Sequence, residues 1–286
     1  MNTYFQRYLN FYCILGFFLL GINLFSQQVD SESVLFKIIK KKTLNISVGA
    51  SYEPYYIADP KPDFPGFEVE IAEKYAEFLG VKLDKVVPLN NFGEHSKAVN
   101  DGTVDISLGN SSAMGRMKQV YFSDPYMIIS IGGLVNKSVL PPEQEGSIVL
   151  NKQFRNVYDL KNISRLSFGA KDKTANLEFV RDSFGEYPIT QFENDELALN
   201  ALINNNITVY IADNLYIEGL LQRYSNLRAR FLPLLSPVTE KQVSFCFKKY
   251  DLQLQANLNL FVRELKRTGT INALREKYFN NNKWVK

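Results

Sequence analysis

The sequence predicts an α/β protein made of two similar lobes, each a mostly parallel sheet flanked by helices. Strand and helix patterns alternate from residue 44 to 109 and again from 166 to 222. Such alternation implies parallel strands with crossover helices on both faces of a sheet. At 286 residues, with 45% hydrophobic side chains, the chain is long enough for two lobes.

The first series contains three strands separated by two helices. Between Gly66 and Gly80 apolar residues recur on one helical face, and Gly80 ends the helix because a terminal glycine adopts a left-handed conformation at little cost. In the third strand apolar and polar side chains alternate, and the strand is predicted to end at Gly109. The predicted strands are 44–48, 82–87 and 103–109, and the second helix is 94–100.

The second series follows a strand at 129–135 that contains two adjacent glycines. Its predicted strands are 166–170, 188–191 and 207–212, and its helices are 174–182, 196–204 and 215–222. A last strand, 243–247, and a helix, 252–266, precede the segment TGTINALREKYF. We expect this tail to return to the first lobe, so that two strands cross between the lobes as a hinge. The alternative is a single sheet of about ten strands.

The first residues have the pattern of an export signal. Arg7 precedes an apolar run at 11–25, which is short for a membrane span and then turns polar. We therefore predict a signal peptide at 1–26 and a tether at 27–42. An uncleaved N-terminal membrane anchor is the alternative, and on either interpretation the body of the protein is exported.

Composition excludes several classes of function. The net charge of +3 lacks the dense basic face that nucleic acid requires. Of the two cysteines, Cys13 leaves with the predicted signal peptide, so Cys246 has no partner for an internal disulfide. His95 is the only histidine, which gives little support to a metal site or to a Ser-His-Asp triad. No cofactor is predicted.

The loop after the third strand carries the residues best suited to binding a small acid. Small polar residues follow Gly109, and Arg116 then offers a rigid fork of donors that matches a carboxylate. Ligands of such sheets bind beyond the carboxyl ends of the strands, where this loop and the tyrosine-rich loop after residue 48 both begin. The alternative is that Arg116 is a solvated surface residue beside Lys118.

A set of motifs occurs in a specific order along the chain. It comprises Tyr52-x-Pro54-Tyr55, GFEVEIA at 66–72, GTVD at 102–105, Arg116 with FSDPY at 122–126, and GTI at 269–271 with KYF at 277–279. In order and spacing these motifs resemble the polar amino-acid-binding, family 3 extracellular solute-binding proteins. The resemblance implies a type II periplasmic-binding-protein-like fold, with lobe 1 at 43–128 plus 243–286 and lobe 2 at 129–242.

The resemblance assigns three residues to a ligand carboxylate. Arg116 would clamp the α-carboxylate, and Ser111 would share that anion through its hydroxyl and N–H groups. Thr174, at the start of a helix in the second lobe, would add donors, since a helix N-terminus favours an anion. The alternative for Thr174 is that it only caps its helix.

The other residues assigned by the resemblance surround the rest of the ligand. Asp213 would receive the α-ammonium, and Tyr52 and Phe92 would form aromatic walls against the ligand side chain. On the alternative interpretation Asp213 caps the helix that follows it, and the aromatic residues belong to the core.

The function implied is that of a monomeric periplasmic receptor for an amino acid or a similar small zwitterionic or carboxylate metabolite, which it delivers to the membrane permease of an ABC transporter. The chain departs from the family's lysine and arginine binders, which place an acid where this sequence has Gly49 and Ala50. Asn110 and Asn176 would suit polar contacts, and Lys171 or Lys173 would suit an acidic ligand side chain, so the ligand is left open.

Two other functions remain as alternatives. The fold also serves dehydratases resembling cyclohexadienyl dehydratase, which require a general acid in the cleft, and Glu178 or Glu193 are the candidates. The fold also serves as a ligand-sensing module that acts through a separate signalling partner.

Overall fold

The computed structural model describes residues 33–141 and 154–286, in which strands and helices alternate. The strands are β1 Thr43–Gly49, β2 Lys82–Leu89, β3 Ile106–Ser111, β4 Tyr121–Phe122, β5 Met127–Asn136, β6 Phe168–Lys171, β7 Ile189–Phe192, β8 Val209–Asp213, β9 Phe231–Leu234 and β10 Glu240–Phe247. The α-helices are α1 Val34–Lys41, α2 Phe67–Leu79, α3 Phe92–Asp101, α4 Ala175–Phe184, α5 Asp195–Ile203, α6 Asn214–Arg223, α7 Leu227–Arg230, α8 Leu252–Arg267 and α9 Thr270–Phe279.

The strands form two sheets that meet at β5. In the first, β2, β1 and β3 are parallel, and β10 lies antiparallel to β3 and also pairs with β4. In the second, β8, β6 and β7 are parallel, and β5 and β9 are antiparallel additions. Each sheet is therefore mixed: three neighbouring strands are parallel, as the alternating pattern predicts, and antiparallel strands extend it.

Strand β5 belongs to both sheets in succession. Met127–Ser130 pair with β10, whereas the stretch from Ile131 onward pairs with β8 and β9. The hydrogen-bonded order is thus continuous through ten strands, but the change of partners within one strand divides it into two sheets. Gly132 lies at this change, and a Cβ there would be only 2.8 Å from the Cα of Asn214. The glycine lets the start of α6 lie directly against the connecting strand.

Buried apolar side chains hold the helices on the sheets. The largest cluster extends from the first sheet into α5 and α6 beside the second, and includes the fully buried rings of Tyr75 and Tyr210. A separate cluster around Phe168 and Phe184 fills the second sheet. Cys246, in β10, is a buried free thiol within a third, smaller cluster beside α3. None of the helices in the described ranges combines the length and apolar character needed to cross a membrane.

The end of the chain packs on the first sheet's helix α2. The Tyr278 hydroxyl and the Lys277 ammonium both contact a carboxylate oxygen of Glu70, at 2.9 and 2.6 Å. Helix α9 also packs against α6, beside the second sheet, so the assignment of the tail to the first lobe stays a prediction. The residue ranges of the two lobes stay a prediction.

Three local features differ from those expected from the sequence. Strand β3 runs on to Ser111, so Gly109 lies inside it rather than at its end, with a φ of 72° and the Glu68 carboxylate 2.6 Å from where a Cβ would be. Part of the predicted tether, residues 34–41, is helix α1, because Leu35 and Ile38 bury one face of it. The sequence does not predict helix α7 and strand β9, since each is only four residues long. The predicted signal peptide, with Cys13, lies outside the described residues.

Candidate functional site

Asp213, the last residue of β8, is the centre of a cluster of polar side chains from three parts of the chain. Its Oδ2 accepts a hydrogen bond of 2.6 Å from the Tyr52 hydroxyl, and its Oδ1 accepts one of 3.2 Å from the Asn176 amide. The Lys241 ammonium forms an ion pair with the same Oδ1. Tyr52 follows β1, Asn176 lies in the first turn of α4, and Lys241 lies in β10.

The cluster keeps Asp213 ionised despite its burial. Burial alone would raise the pKa of its carboxyl, but the charge of Lys241 and the hydrogen bonds from Lys241, Tyr52 and Asn176 outweigh this effect and hold the pKa below its ordinary value. Burial, and then the charge of Asp213, raise the pKa of Tyr52 far above its usual range. Tyr52 therefore stays a neutral hydroxyl that can donate to the carboxylate.

The Tyr52 loop also packs on helix α6. The ring of Tyr52 is stacked on that of Tyr216 with 4.1 Å between centroids, and its other neighbour is Tyr55, at 5.2 Å. Beside this stack, Glu53 forms an ion pair with Arg223, at the other end of the same helix. A loop that leaves the first sheet is thus joined to a helix of the second by aromatic, polar and ionic contacts.

Arg116 lies in a short 3₁₀ turn, Arg116–Lys118, after β3. Its guanidinium lies 4.3 Å from the centre of the Phe92 ring, at the start of α3, and donates a 3.0 Å hydrogen bond to the Ser111 carbonyl oxygen. Burial lowers the pKa of Arg116, while the negative charges of Glu178 and Asp213 oppose that shift. The group remains charged because an arginine pKa stays far above neutrality.

Arg116 is therefore held in place but not neutralised. Among the residues that the structure describes, no carboxylate forms an ion pair with it. The ring of Phe92 and the carbonyl of Ser111 fix the orientation of the planar fork while leaving its charge available. Such a group can bind an anion through parallel hydrogen bonds.

Thr174 uses its hydroxyl within the protein. It is the N-cap of α4, accepting a 3.3 Å hydrogen bond from the backbone N–H of Leu177, and it donates a 2.6 Å bond to the Lys171 carbonyl oxygen. This is the capping interpretation that the sequence left open. A ligand role for Thr174 would have to come from its backbone and stays a prediction.

The six predicted ligand residues thus form two groups and one separate residue. Tyr52 and Asp213 are in direct contact, and Arg116 contacts both Phe92 and Ser111. Thr174 contacts neither group through its side chain. The ligand roles of all six stay predictions.

Two neighbouring ionisable groups already have partners within the protein. Lys171, a candidate for an acidic ligand side chain, lies 3.6 Å from the buried carboxylate of Asp195, which also accepts a 2.7 Å hydrogen bond from Tyr210. His95 is buried between Ser47 and Ser107, and burial lowers its pKa to about 4, so the ring is neutral. Within the described ranges, acidic, histidine and cysteine side chains form no group of three that could hold a metal ion.

The sequence does not identify two residues of the site, Lys241, which contacts Asp213, and Tyr216, which stacks on Tyr52. The predicted last strand begins at Val243, whereas β10 begins at Glu240 and includes Lys241. Side chains two apart in a strand share a face, so Lys241 lies on the face of buried Val243. A lysine on the buried face of a strand could have indicated a buried ion pair. Tyr216 lies on an apolar helix, where an aromatic residue carries no functional signal of its own.

The sequence matches a known family over most of its length. The profile of the bacterial extracellular solute-binding proteins, family 3, matches residues 44–281. The chain is 24% identical to the amino-acid-binding protein AabA of Dichelobacter nodosus, over 80% of this chain and 84% of that one. It is 24% identical to the L-cystine-binding protein TcyJ of Escherichia coli (strain K12), over 87% of this chain and 86% of that one.

Some relatives are longer proteins of another kind. The membrane-bound lytic murein transglycosylase F of Shewanella sediminis is 25% identical over 88% of this chain, but the match spans only 49% of that relative. The similarity therefore concerns about half of the transglycosylase.

Solved structures with the same architecture are also known. The amino acid ABC transporter substrate-binding protein AbpA of Streptococcus pneumoniae, bound to L-arginine, has a TM-score of 0.69 at 20% identity, covering 86% of this chain and 98% of that one. The ancestral amino acid-binding protein AncCDT-1, described as a precursor of cyclohexadienyl dehydratase, has a TM-score of 0.68 at 24% identity, covering 86% and 99%.

Proposed function

Because the chain belongs to the bacterial extracellular solute-binding proteins of family 3, we propose that it is a receptor that closes on an amino acid or a similar small carboxylate and delivers it to an ABC transporter. The predicted fold is confirmed, since the solved structures above share it over more than four fifths of this chain. It is the type II periplasmic-binding-protein-like fold. The ligand class and the delivery step are the proposed parts.

The observation that carries the proposal is the unneutralised charge of Arg116. The guanidinium is partly buried, oriented by Phe92 and Ser111, and has no carboxylate partner within the described part of the chain. Keeping a charge away from water costs free energy unless it is paired. A ligand carboxylate would supply the missing charge and match the fork with two parallel hydrogen bonds.

The contacts of the Tyr52 loop support a binding step coupled to closure. Tyr52 reaches Asp213, and Glu53 reaches Arg223, so residues that follow β1 bind residues at and beyond the end of β8. These contacts form only when the two sheets approach each other. A ligand between Arg116 and the second sheet would be enclosed by the same movement, which excludes water and strengthens its charged contacts.

Calorimetric titration tests the ligand class. The purified protein is titrated with a panel of L-amino acids and of small carboxylates, with Arg116→Ala as the control for the site. We expect saturable heat with at least one member for the wild type and strongly weakened binding for the variant. No heat with any member of the panel would contradict the proposal.

The transport role has its own test. In a strain that imports the identified ligand, deletion of the gene for this protein should abolish uptake, and cross-linking of the exported protein should recover a membrane permease. Recovery of a sensor kinase, with normal uptake, would favour the sensing alternative instead. We also propose that the mature protein is a periplasmic monomer lacking residues 1–26, which N-terminal sequencing and light scattering of the exported protein would check.

The dehydratase alternative has weaker support. Glu178 is exposed in α4, and Glu193 lies beyond the end of β7, so neither carboxyl is enclosed as a general acid would need to be. Incubation with prephenate or arogenate should leave both unchanged. Formation of an aromatic product would overturn the receptor proposal.

A further inference from the structure

Lys241 places an ammonium group of the protein itself against Asp213. Its Nζ forms the ion pair with Asp213 Oδ1 and donates a 2.7 Å hydrogen bond to Asn176 Oδ1. The side chains of Lys241 and Asp213 are each only 13% exposed. The lysine stem reaches this position from β10, a strand of the first sheet, so the ammonium is supplied across the site.

Both oxygens of the Asp213 carboxylate already accept hydrogen bonds. Asp213 Oδ1 accepts from Lys241 and Asn176, and Oδ2 accepts from Tyr52. A ligand ammonium at Asp213 would have to displace a tethered ammonium of the same charge, which is present at a far higher effective concentration than a free ligand. The exchange would contribute little binding free energy, because the displaced lysine ammonium would lose its own partner.

The other acids nearby do not offer a substitute. Asp195 Oδ1 accepts a hydrogen bond from Tyr210, and its Oδ2, which has no hydrogen-bond partner among the described residues, lies 3.6 Å from the Lys171 ammonium that balances its charge. Glu178, whose charge acts on Arg116, is exposed to solvent, where water weakens an ion pair.

The charges of the site therefore favour a ligand that is purely anionic. Arg116 and Lys241 contribute two positive charges and Asp213 one negative charge, which leaves one positive charge in excess. A carboxylate without an ammonium group neutralises that excess, whereas a zwitterion adds its own cation to it. We infer that Lys241 takes the place of a ligand α-ammonium, so that the protein selects small carboxylates that lack an α-amino group over the corresponding amino acids. This inference rests on the proposed function and narrows its ligand class.

Matched pairs of ligands test this selectivity directly. The wild-type protein is titrated calorimetrically with four amino acids and with the carboxylates that differ from them only by loss of the α-amino group. The pairs are L-aspartate with succinate, L-leucine with isocaproate, L-phenylalanine with hydrocinnamate, and L-lysine with ε-aminocaproate. In the pair that binds best we expect the deaminated member to bind at least ~10-fold more tightly, which corresponds to about 1.4 kcal/mol.

Two variants assign the selectivity to the lysine. Lys241→Met keeps an apolar stem but removes the ammonium, so Asp213 becomes available and the preference should shift towards the amino acid by ~10-fold or more. Lys248→Met is the matched control, since it makes the same change of charge at an exposed residue just after β10. The Lys248→Met protein should show the same preference for deaminated ligands as the wild type. Circular dichroism checks that both variants are folded.

The outcomes separate this inference from the proposed function. If the wild type binds an amino acid as tightly as its deaminated partner, or more tightly, the inference is overturned while the receptor function stands. If no member of either series binds, the proposed ligand class itself is overturned. The wild-type comparison decides both questions, even if Lys241→Met fails to fold.

Discussion

The rings of Tyr52 and Tyr216 lie parallel, with 4.1 Å between their centroids and 6° between their planes. One follows the first strand of the first sheet and the other lies on a helix of the second sheet. Stacked aromatic pairs contribute about 0.5–1.5 kcal/mol beyond the area they bury. The stack and the Tyr52 to Asp213 hydrogen bond together hold the two sheets close on this side of the site.

Gly219→Ala should weaken this approach of the two sheets. In the middle of a helix, alanine is normally about 1 kcal/mol more favourable than glycine. Here a Cβ would lie 2.4 Å from Cδ of Pro54, in the loop that carries Tyr52. The loop must therefore move away from α6. We expect a larger radius of gyration in small-angle scattering and weaker ligand binding.

Gly115→Ala is the control for this substitution, because a Cβ at Gly115 would meet no atom within 4 Å. It should leave the scattering curve unchanged. A Gly219→Ala protein that melts at a higher temperature, with the wild-type scattering curve, would show that the contact with Pro54 is not limiting.

Arg116→Ala should remove most of the affinity for an anionic ligand. A carboxylate left without its partner in an enclosed site costs about 3–5 kcal/mol, or two or more decades in dissociation constant. Arg116→Lys should also lose affinity, because a point-like ammonium cannot reproduce the fork. The measurement is the rise in melting temperature caused by the ligand found by calorimetry. For each variant, this rise is the difference between the same protein with and without ligand, and it is then compared with the rise in the wild type.

The comparison within each variant matters because Arg116 also contributes to packing. Its contact with Phe92 and its hydrogen bond to Ser111 are each worth about 1 kcal/mol, so the ligand-free melting temperature should fall slightly. Lys118→Ala, at an exposed residue of the same turn, should keep the full ligand-induced rise. If Arg116→Ala keeps it too, the site is elsewhere.

Asp213 and Lys241 should prove energetically coupled. Removing one member of a buried ion pair costs about 3 kcal/mol or more, because the other charge is left without its counter-charge. Removing both leaves no uncompensated charge, so Asp213→Asn with Lys241→Met should destabilise less than the sum of the single variants. Urea unfolding at neutral pH measures all four proteins of this double-mutant cycle.

An exposed pair provides the contrast for this cycle. Lys286 and Asp59 also form an ion pair, but their side chains are 50% and 87% exposed. Solvent screens such a pair, and we expect no measurable coupling in the same assay. Additive effects at Asp213 and Lys241 would indicate that their contact does not persist in solution.

Glu68 should make the protein less stable as the pH rises. Burial raises the pKa of its carboxyl to about 8, although the hydrogen bond from Tyr126 acts in the opposite direction. Between about pH 4.5 and 8 the folded protein keeps this proton while the unfolded chain has released it. Stability therefore falls across this window by up to ~1.4 kcal/mol per pH unit.

Glu68→Gln tests this proton because it has a similar shape and cannot ionise. The variant should show a shallower loss of stability between pH 5 and about pH 8, measured by urea unfolding at several pH values. Glu77→Gln, at an exposed residue of the same helix, should follow the wild-type slope. Equal slopes for wild type and Glu68→Gln would mean that the carboxylate is ionised in the folded state.

The sequence predicts the order of elements well because each depends on local patterns. Apolar periodicity locates the strands and helices, and Gly80 indeed ends α2 in the left-handed conformation with a φ of 68°. Apolar periodicity does not locate the end of β3. Asn110 and Ser111 have polar side chains that do not fit the pattern, although both residues pair with β10. It also misses α1, since a short helix beside a lysine run has little local signal.

The candidate site was predictable only in part. Arg116 and Asp213 follow strands at the ligand-binding edge, and their side-chain chemistry is visible in the sequence. The contact of Lys241 with Asp213 joins residues 28 positions apart through strands of different sheets. Similarly, Phe92 lies over the guanidinium of Arg116 only because α3 and the loop after β3 pack together. Such pairings depend on tertiary packing, which local patterns do not specify.

The buried thiol of Cys246 can serve as a chemical probe of local opening in the first sheet. Burial raises the pKa of this thiol to about 12, so the intact sheet holds it in its unreactive form. A chain that begins at Gln27 contains no other cysteine. A thiol reagent can then react in molecules whose α3 has moved away from β10, because the thiol lies in the apolar cluster between them. The reaction rate reports this local opening, and ligands that merely draw the sheets together should leave it unaltered.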